Sequence, residues 1–187
     1  VGLITNHTGL SSEGQRTIDL LSQAPGVKLA AIFAPEHGLT GLADNKVAAG
    51  RDTFSGVPVY SLYGETLRPT PAMLKGLDVL VFDVQDAGAR FYTYMTTMGY
   101  AMEAAARVGI SFIVLDRPNP IGAARVQGAV MDAGLKSFTG YFPLPVRHGM
   151  TLGELAQMFN AENRVGAKLT VIAMRGAAGA HSMDPNT

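Results

Sequence analysis

Four short apolar runs, each ending in a group of polar residues, constrain this sequence more than any other feature. The runs are GLITN, LAAIFAP, DVLVFDVQ and ISFIVLD, and segments with helical periodicity occur between them. Buried strands of a parallel sheet have this continuous apolar character, and helices connect them. The sequence therefore predicts an α/β fold of the Rossmann-like, doubly wound type, with a mainly parallel sheet and helices on both faces.

The segments between the apolar runs carry helix start and stop signals. Periodicity predicts helices at about 13–23 and 96–108, the second ended by Gly109 in the position that favours a left-handed residue. Another helix should follow Thr151, which begins a Thr-x-x-Glu capping box. The stretch 38–54 is polar, contains glycine and lacks periodicity, so it predicts a long loop over the site.

The composition excludes several classes of function. Hydrophobic residues make up 47% of the chain and charged residues 16%, which is enough apolar material for a core. Fifteen basic and fifteen acidic residues cancel, which argues against nucleic acid or an anionic membrane as a partner. The chain has no cysteine, so thiolate zinc sites and a cysteine nucleophile are excluded. No apolar run reaches 18 residues, so no membrane span is predicted.

The polar ends of the four runs predict one shared site. They are Asn6-His7-Thr8, Glu36-His37-Gly38, the segment Asp83-Val84-Gln85-Asp86, and Asp116-Arg117-Pro118-Asn119. Ligands of open α/β sheets bind outside the carboxyl ends of the strands, where the loops converge. The first strand is not followed by Gly-x-Gly-x-x-Gly, so a dinucleotide is not expected. The residue types indicate an enzyme acting on a polar, hydroxyl-rich substrate.

Glu36 is the first catalytic candidate. A carboxylate at a strand end can serve as general acid when partial burial raises its pKa. His37 is a candidate substrate contact beside it, and Gly38 would let the backbone approach a ligand. The alternative is that Glu36 forms a salt bridge or caps a loop turn.

The densest polar group follows the third run. Asp83 and Gln85 share one face of the strand end, because they alternate with Val84. Arg90 could pair with Asp83 or Asp86, and tyrosines such as Tyr92 offer a ring face and a hydroxyl to a sugar. The alternative is an Asp–Arg ion pair that closes the turn. We favour a site for the group and a structural role for an Asp86–Arg90 pair taken alone.

Further substrate contacts are predicted at Arg117, Asn119, Asn6, His7 and His148. Arg117 could bind a carboxylate in bidentate fashion. The alternative for the segment 116–119 is a rigid turn with an Asx hydrogen bond, and a lone histidine is more often structural.

A metal site is an alternative that the sequence supports weakly. Histidine and carboxylate ligands could come from His7, Glu36, His37, Asp83 and Asp86. These residues follow three separate strands and show no fixed ligand spacing, so a site without metal is the prediction.

Five motifs in order resemble the exo-β-N-acetylmuramidase family, formerly a domain of unknown function and represented by NamZ-type enzymes. They are APEHG, GVPVYSLYG, FDVQDAGARFYTY, LDRPNPIG and LPVRHGMTLGELA. The resemblance covers nearly all of residues 1–175. It implies a bacterial glycosidase of cell-wall recycling that releases terminal N-acetylmuramic acid from peptidoglycan fragments, with no metal or nucleotide. It also implies export to the periplasm or the cell exterior.

The resemblance also implies a domain plan and roles for site residues. Residues 1–175 would be the Rossmann-like catalytic domain, and 176–187 a tail or the start of a smaller carboxyl-terminal domain. Because the chain begins at Val1, inside a predicted strand, we interpret it as a fragment. Glu36 matches the main catalytic carboxylate, with Asp83 or Asp86 as the second. The residues placed around the sugar are Asn6, His7, Asp83, Gln85, Arg90, Tyr92 and Arg117.

One departure from the family pattern affects the mechanism. The segment after RPNPIG usually contains Glu-Gly, whereas this chain has Gln127-Gly128. Glycosidases usually need two carboxylates, and the Gln127 amide can bond a sugar hydroxyl but cannot carry a proton. The alternatives are a catalytically weakened muropeptide-binding protein, which Gln127 favours, and, independently of Gln127, a metal-dependent hydrolase.

Overall fold

The structure is a computed structural model that describes residues 1–42 and 49–175. Within these residues a seven-stranded sheet is formed by β1 (Gly2–Thr5), β2 (Ala31–Ala34), β3 (Gly50–Arg51), β4 (Pro58–Ser61), β5 (Val79–Asp83), β6 (Ser111–Leu115) and β7 (Lys168–Ile172). The helices are α1 (Thr17–Gln23), α2 (Pro71–Leu74), α3 (Tyr94–Val108) and α4 (Leu152–Glu162).

The strand order confirms the doubly wound prediction. The sheet runs β3-β4-β2-β1-β5-β6-β7, and every pair is parallel except β3 with β4. Without the two-residue edge strand β3, the order is that of a Rossmann fold. The chain winds outward from β1 in both directions, so the crevice between the carboxyl ends of β1 and β5 is the switch point where such folds bind ligands.

Two apolar layers cover the two faces of the sheet. Neighbouring residues of β1 point to opposite faces, so Ile4 packs in the layer of α2, α3 and α4, and Leu3 in the layer of α1. The first layer contains the fully buried rings of Phe33, Phe82 and Phe112. Burial on both faces explains why β1, β2 and β5 appear as continuous apolar runs in the sequence.

Two helix starts differ from the sequence prediction. Helix α1 begins at Thr17 rather than near residue 13, because the Ser11 hydroxyl accepts the amides of Glu13 and Gln15 and holds that stretch in a turn. Helix α3 begins at Tyr94, two residues earlier than predicted. The capping box at Thr151 and the left-handed Gly109, with φ 76°, are confirmed.

The predicted loop 38–54 is only partly described. It contains the short strand β3, which pairs with β4, and residues 43–48 lie outside the described part. The predicted tail at 176–187 also lies outside it. After Pro120 the chain is irregular up to α4 apart from a 3₁₀ turn at Ala133–Leu135, as the sequence indicated. No helix in the described ranges is long and apolar enough to cross a bilayer.

Candidate active site

The strand ends that the sequence singled out lie at one edge of the sheet. β1 lies between β2 and β5, and β5 pairs with β6, so the segments that begin at Asn6, Glu36, Asp83 and Asp116 follow four adjacent parallel strands. The edge is therefore the convergence point that the sequence predicted.

Glu36 is held at this edge by a sharp turn and by two hydroxyl groups. His37 and Gly38 both have positive φ, 67° and 71°, and the Gly38 amide donates to the Pro35 carbonyl at 3.0 Å. A non-glycine residue in this region is uncommon and costs conformational energy, and such strain occurs preferentially at functional sites. The Thr93 hydroxyl donates to Glu36 Oε2 at 2.5 Å.

Two tyrosine hydroxyls share the surroundings of Glu36. A hydrogen bond to Glu36, together with the charge of that carboxylate, raises the pKa of Tyr63 above its ordinary value. Burial is the main cause that raises the pKa of Tyr94, and the charges of Glu36 and Asp86 act in the same direction, whereas the Asn6 amide opposes them. The Tyr94 hydroxyl is therefore electrostatically coupled to the carboxylates that follow β2 and β5.

Asp83 is fully engaged by other protein groups. Its side chain is 1% exposed, Oδ1 accepts from Arg117 Nε at 2.7 Å, and Oδ2 accepts from the Thr17 hydroxyl at 2.5 Å. Arg117 Nη2 also donates to the Leu10 carbonyl at 2.8 Å. Two of the three guanidinium nitrogens are thus used inside the protein, so the bidentate capture of a substrate carboxylate predicted for Arg117 does not fit this geometry.

Asp86 and His148 form a buried pair. His148 Nε2 lies 3.6 Å from Asp86 Oδ2, and the Met150 amide donates to Nδ1 at 3.2 Å, which leaves the proton of a neutral ring on Nε2, toward Asp86. Asp86 Oδ2 also accepts from the Gly88 amide at 2.8 Å. Asp86 Oδ1 is buried and has no hydrogen-bond partner among the described residues. His148 is 2% exposed and faces Asp86, so it lies against a carboxylate at the position where the sequence predicted a substrate contact.

Asn6, Thr8 and Gln85 connect the ends of three strands. The Thr8 hydroxyl donates to Asn6 Oδ1 at 2.6 Å and accepts from the Gln85 amide at 2.9 Å. Gln85 Nε2 donates to the carbonyls of Asp86 and Pro118, at 2.9 and 2.8 Å. Asn6 Nδ2 is buried near the Tyr94 hydroxyl, but its geometry does not make a full hydrogen bond to any described residue. This network fixes the floor of the crevice, so Gln85 bonds backbone in the position where a sugar contact was expected.

Arg90 and Asn119 take structural roles. Arg90 Nη1 donates to the carbonyls of Ala129 and Leu144, so the pairing with Asp83 or Asp86 considered from the sequence is not what the structure has. Asn119 Oδ1 accepts from the Ile121 amide at 3.1 Å, and Nδ2 donates to the Met150 carbonyl at 3.0 Å. This is the Asx-type turn that was the alternative reading of the segment 116–119.

Gln127 lies on the exposed irregular segment. It exchanges two backbone hydrogen bonds with Arg147, at 3.1 and 2.9 Å, and its Oε1 accepts from Arg147 Nη1 at 3.2 Å. Arg147 also pairs with Ala89 on its other side. Gln127 is therefore linked through Arg147 to the loop that carries Asp86.

His7 and Tyr92 are the predicted contacts with exposed side chains. Tyr92 is 44% exposed, and its ring lies edge-on to Tyr94 with centroids 6.2 Å apart. The His7 ring packs beneath Gly41, where an added side chain would begin only 2.3 Å from the imidazole. Glu36 is partly buried and His37 partly exposed beside it.

The metal alternative finds no ligand set in the described part of the chain. Groups of three or more histidine or carboxylate side chains that could hold an ion do not occur within residues 1–42 and 49–175.

Three positions were missed by sequence reasoning. Thr17 and Thr93 lie at the starts of α1 and α3 rather than directly after a strand. Their hydroxyls donate hydrogen bonds across the sheet edge to Asp83 and Glu36. Tyr63 had a signal, because GVPVYSLYG places it just beyond β4, whose neighbour in the sheet is β2.

Fold and site together define a Rossmann-type α/β domain with a carboxylate held at the carboxyl edge of its sheet. Residues 1–186 match the model of the family described as exo-beta-N-acetylmuramidase NamZ, N-terminal. The chain belongs to this family. It is 51% identical over 177 residues to the peptidoglycan beta-N-acetylmuramidase NamZ of Bacillus subtilis (strain 168), across 94% of this chain and 43% of that protein.

Two crystal structures have the same fold. Both are DUF1343 family proteins from Bacteroides fragilis NCTC 9343. The first is 49% identical to this chain with a TM-score of 0.85, and the match covers 92% of this chain and 44% of that protein. The second is 38% identical with a TM-score of 0.79, and the match covers 94% of this chain and 46% of that protein. The chain thus spans less than half the length of each of these relatives.

Proposed function

We propose that this chain is the catalytic part of an exo-acting glycoside hydrolase that releases terminal β-linked N-acetylmuramic acid from peptidoglycan fragments. One observation carries the proposal. Glu36, partly buried at the carboxyl edge of β2, is held by the hydroxyls of Thr93 and Tyr63. The name of the Bacillus subtilis relative gives the substrate class. We propose that Glu36 exchanges the proton with the glycosidic oxygen as general acid/base.

We assign the second carboxylate role to Asp86 rather than Asp83. Both oxygens of Asp83 are bound by Arg117 and Thr17, so a proton or a sugar would first have to break those bonds. Asp86 keeps one buried oxygen without a partner among the described residues, an arrangement that proteins seldom tolerate without a purpose. Its charge also reaches the Tyr94 hydroxyl, which is coupled to Glu36 as well.

The exposed ring of Tyr92 and the imidazole of His7 are proposed as sugar contacts. An aromatic ring offers an apolar face to the C–H groups of a sugar, and both side chains can bond hydroxyl groups. Because peptidoglycan lies outside the cytoplasmic membrane, we also propose that the whole protein acts in the periplasm or outside the cell.

The deciding experiment measures free N-acetylmuramic acid released from the disaccharide MurNAc-β-1,4-GlcNAc. The full-length protein and its Glu36→Gln variant are compared, with thermal unfolding as the check on folding. Release by the unmodified protein alone supports both the reaction and the role of Glu36. Equal release by both proteins would remove Glu36 from the mechanism, and binding without release would favour a muropeptide-binding protein.

Gln127 is the observation that favours this second candidate. A glutamine stands where the family resemblance leads us to expect glutamate, and Arg147 binds it on the exposed segment. If a carboxylate at this position takes part in turnover, Gln127→Glu raises the rate of MurNAc release. An unchanged rate would leave Glu36 and Asp86 as the acting pair. Activity lost on chelator treatment and restored by added metal would instead favour the metal-dependent hydrolase.

A further inference from the structure

The buried pair of Asp86 and His148 leaves one polar atom of each side chain without a partner. The His148 side chain is completely buried and that of Asp86 is 6% exposed. Among the described residues, neither His148 Nε2 nor Asp86 Oδ1 forms a hydrogen bond. Buried polar atoms of this kind are costly and uncommon in folded proteins, so two of them on one contacting pair call for an explanation.

The proton of the His148 ring is directed at Asp86. The Met150 amide donates to Nδ1 at 3.2 Å, so Nδ1 is an acceptor and the ring proton lies on Nε2. Nε2 faces Asp86 Oδ2 at 3.6 Å, which is longer than a hydrogen bond. Hydrogen bonds that act in catalysis are often long in the absence of substrate and shorten in the complex. His148 is therefore a donor held just outside bonding distance of one carboxylate oxygen.

The surrounding residues hold both members of the pair in place. Asn119 Nδ2 donates to the carbonyl of Met150, the residue whose amide fixes the His148 ring. On the other side of the pair, the Gly88 amide donates to Asp86 Oδ2 at 2.8 Å. Gly88 also packs against Asn119, because an added Cβ would lie only 2.3 Å from Asn119 Oδ1. These contacts form a closed ring that joins three separate segments of the chain.

Both donors of this ring point at the same oxygen of Asp86. Oδ2 faces the Gly88 amide and His148 Nε2, whereas Oδ1 has no hydrogen-bond partner among the described residues. Asp83 differs, because each of its oxygens accepts from a side chain of the protein. A carboxylate that is held through one oxygen has a fixed orientation and keeps the other oxygen for chemistry.

We propose that His148 is a positioning residue of the reaction: its Nε2–H, together with the Gly88 amide, holds Asp86 Oδ2 and leaves Oδ1 as the oxygen that acts. The inference rests on the proposed function, in which Asp86 is the second carboxylate. The sequence predicted a substrate contact at His148. Because its side chain is completely buried, His148 instead acts through Asp86 and does not touch the sugar.

Two substitutions at His148 separate the donor from packing. His148→Gln can place an amide N–H near the position of Nε2, whereas His148→Leu fills similar space without a donor. Both variants lose the ring nitrogen that accepts from the Met150 amide, so this loss is common to the two and cancels in their comparison.

The full-length protein and the two variants are compared in the release of MurNAc from MurNAc-β-1,4-GlcNAc, with thermal unfolding as the check on folding. We expect kcat of His148→Leu to fall about 10- to 100-fold with KM changed little, the range of a hydrogen bond to a charged group. His148→Gln should recover most of the rate. An unchanged rate in the Leu variant, a Gln variant as slow as the Leu variant, or a loss confined to KM would overturn the proposal.

The ring proton provides a test that does not depend on turnover. Nitrogen NMR of full-length protein with isotope-labelled histidine should show a ring that carries its proton on Nε2 and whose signal is missing from His148→Gln. The signal should shift in Asp86→Asn, because the Nε2 proton faces that carboxylate. Asp78→Asn, an exposed aspartate before β5, is the control and should leave the signal unchanged.

A proton on Nδ1 of His148, or a signal that Asp86→Asn does not move, would overturn the proposal whatever the kinetics show. The same measurement decides the matter if His148→Leu does not fold. If the unmodified protein releases no MurNAc, the proposed function fails, and the NMR comparison still decides whether His148 orients Asp86.

Discussion

The Thr93 hydroxyl donates to Glu36 Oε2 at 2.5 Å, across the carboxyl edge of the sheet. Thr93 occupies the N-cap position of α3, where its side chain would ordinarily accept a helix amide, but no cap hydrogen bond is formed there. The hydroxyl holds the carboxylate instead. The N-cap residue of α3 therefore fixes the position of a side chain that follows β2.

Removing the Thr93 hydroxyl should lower turnover without unfolding the protein. Thr93→Val keeps the shape of the buried side chain and deletes its donor, and hydrogen bonds to charged groups contribute about 1.5–3 kcal/mol. We expect kcat for MurNAc release to fall about 10- to 100-fold, with KM changed little. Thr93→Ser keeps the hydroxyl and is the control that should restore most of the rate. A Ser variant as slow as the Val variant would show that packing matters and the donor does not.

Tyr63→Phe removes the second hydroxyl at Glu36 and keeps the ring that stacks on Phe138. Because its hydrogen bond to Glu36 raises the pKa of Tyr63, the phenol keeps its proton above its ordinary titration range and remains a donor at alkaline pH. We expect about a tenfold loss of kcat in the Phe variant, measured as MurNAc release. Tyr60→Phe, a tyrosine of β4 that packs on Phe33, is the control. Equal rates for Tyr63→Phe and the unmodified protein would contradict the assigned contact.

Asp83→Asn and Asp86→Asn should separate stability from turnover. Asp83 is a buried carboxylate paired with Arg117, and breaking such a pair from one side costs about 3–5 kcal/mol. We therefore expect Asp83→Asn to lower the free energy of unfolding by at least about 2 kcal/mol, since the amide retains part of the bonding. Asp86→Asn should abolish turnover with a smaller loss of stability. The measurements are denaturant unfolding and MurNAc release, and the reverse pattern would exchange the two roles.

How much of the fold and of the candidate site could be predicted from the sequence depends on how far apart the interacting residues are along the chain. Apolar runs and capping signals are local, so the strands, the box at Thr151 and the Gly109 cap were predictable. The strand ends also placed Glu36 and Asp86 at one edge. Partners across the edge were not predictable, because Arg117 could approach Asp83 or a substrate equally well from its position after β6. The Thr93–Glu36 contact spans 57 residues and has no periodic signal.

The distribution of charge over the surface was likewise not predictable from the sequence. Equal numbers of acidic and basic residues give zero net charge, and this balance argues only against nucleic acid or an anionic membrane as a partner. Arg68, Arg107, Lys136 and Arg164 come from four separate segments, and only the fold brings them to neighbouring cavities around α3. Composition therefore describes the whole chain and cannot report a local excess of charge.

Asp52 should make the stability of the domain depend on acid pH. Burial alone would raise its pKa, but hydrogen bonds from Arg16 and from the amide and hydroxyl of Ser55 outweigh burial and lower the pKa to about 2. A depressed pKa stabilises the fold above the unfolded value of about 3.9, and the contribution disappears as the pH falls toward 2.

The difference between the pKa of Asp52 in the folded and in the unfolded chain corresponds to about 2 kcal/mol of folding stability at neutral pH. We expect Asp52→Asn to lower the free energy of unfolding by about that amount at pH 7 and by much less near pH 2, where about half of the Asp52 carboxyl is protonated in the fold and nearly all of it in the unfolded chain. Denaturant unfolding at both pH values makes the comparison. Asp78→Asn, an exposed aspartate before β5, is the control and should differ little from the unmodified protein at either pH. A loss at Asp52 that is the same at pH 7 and pH 2 would show that shape, rather than the charge paired with Arg16, anchors this turn to α1.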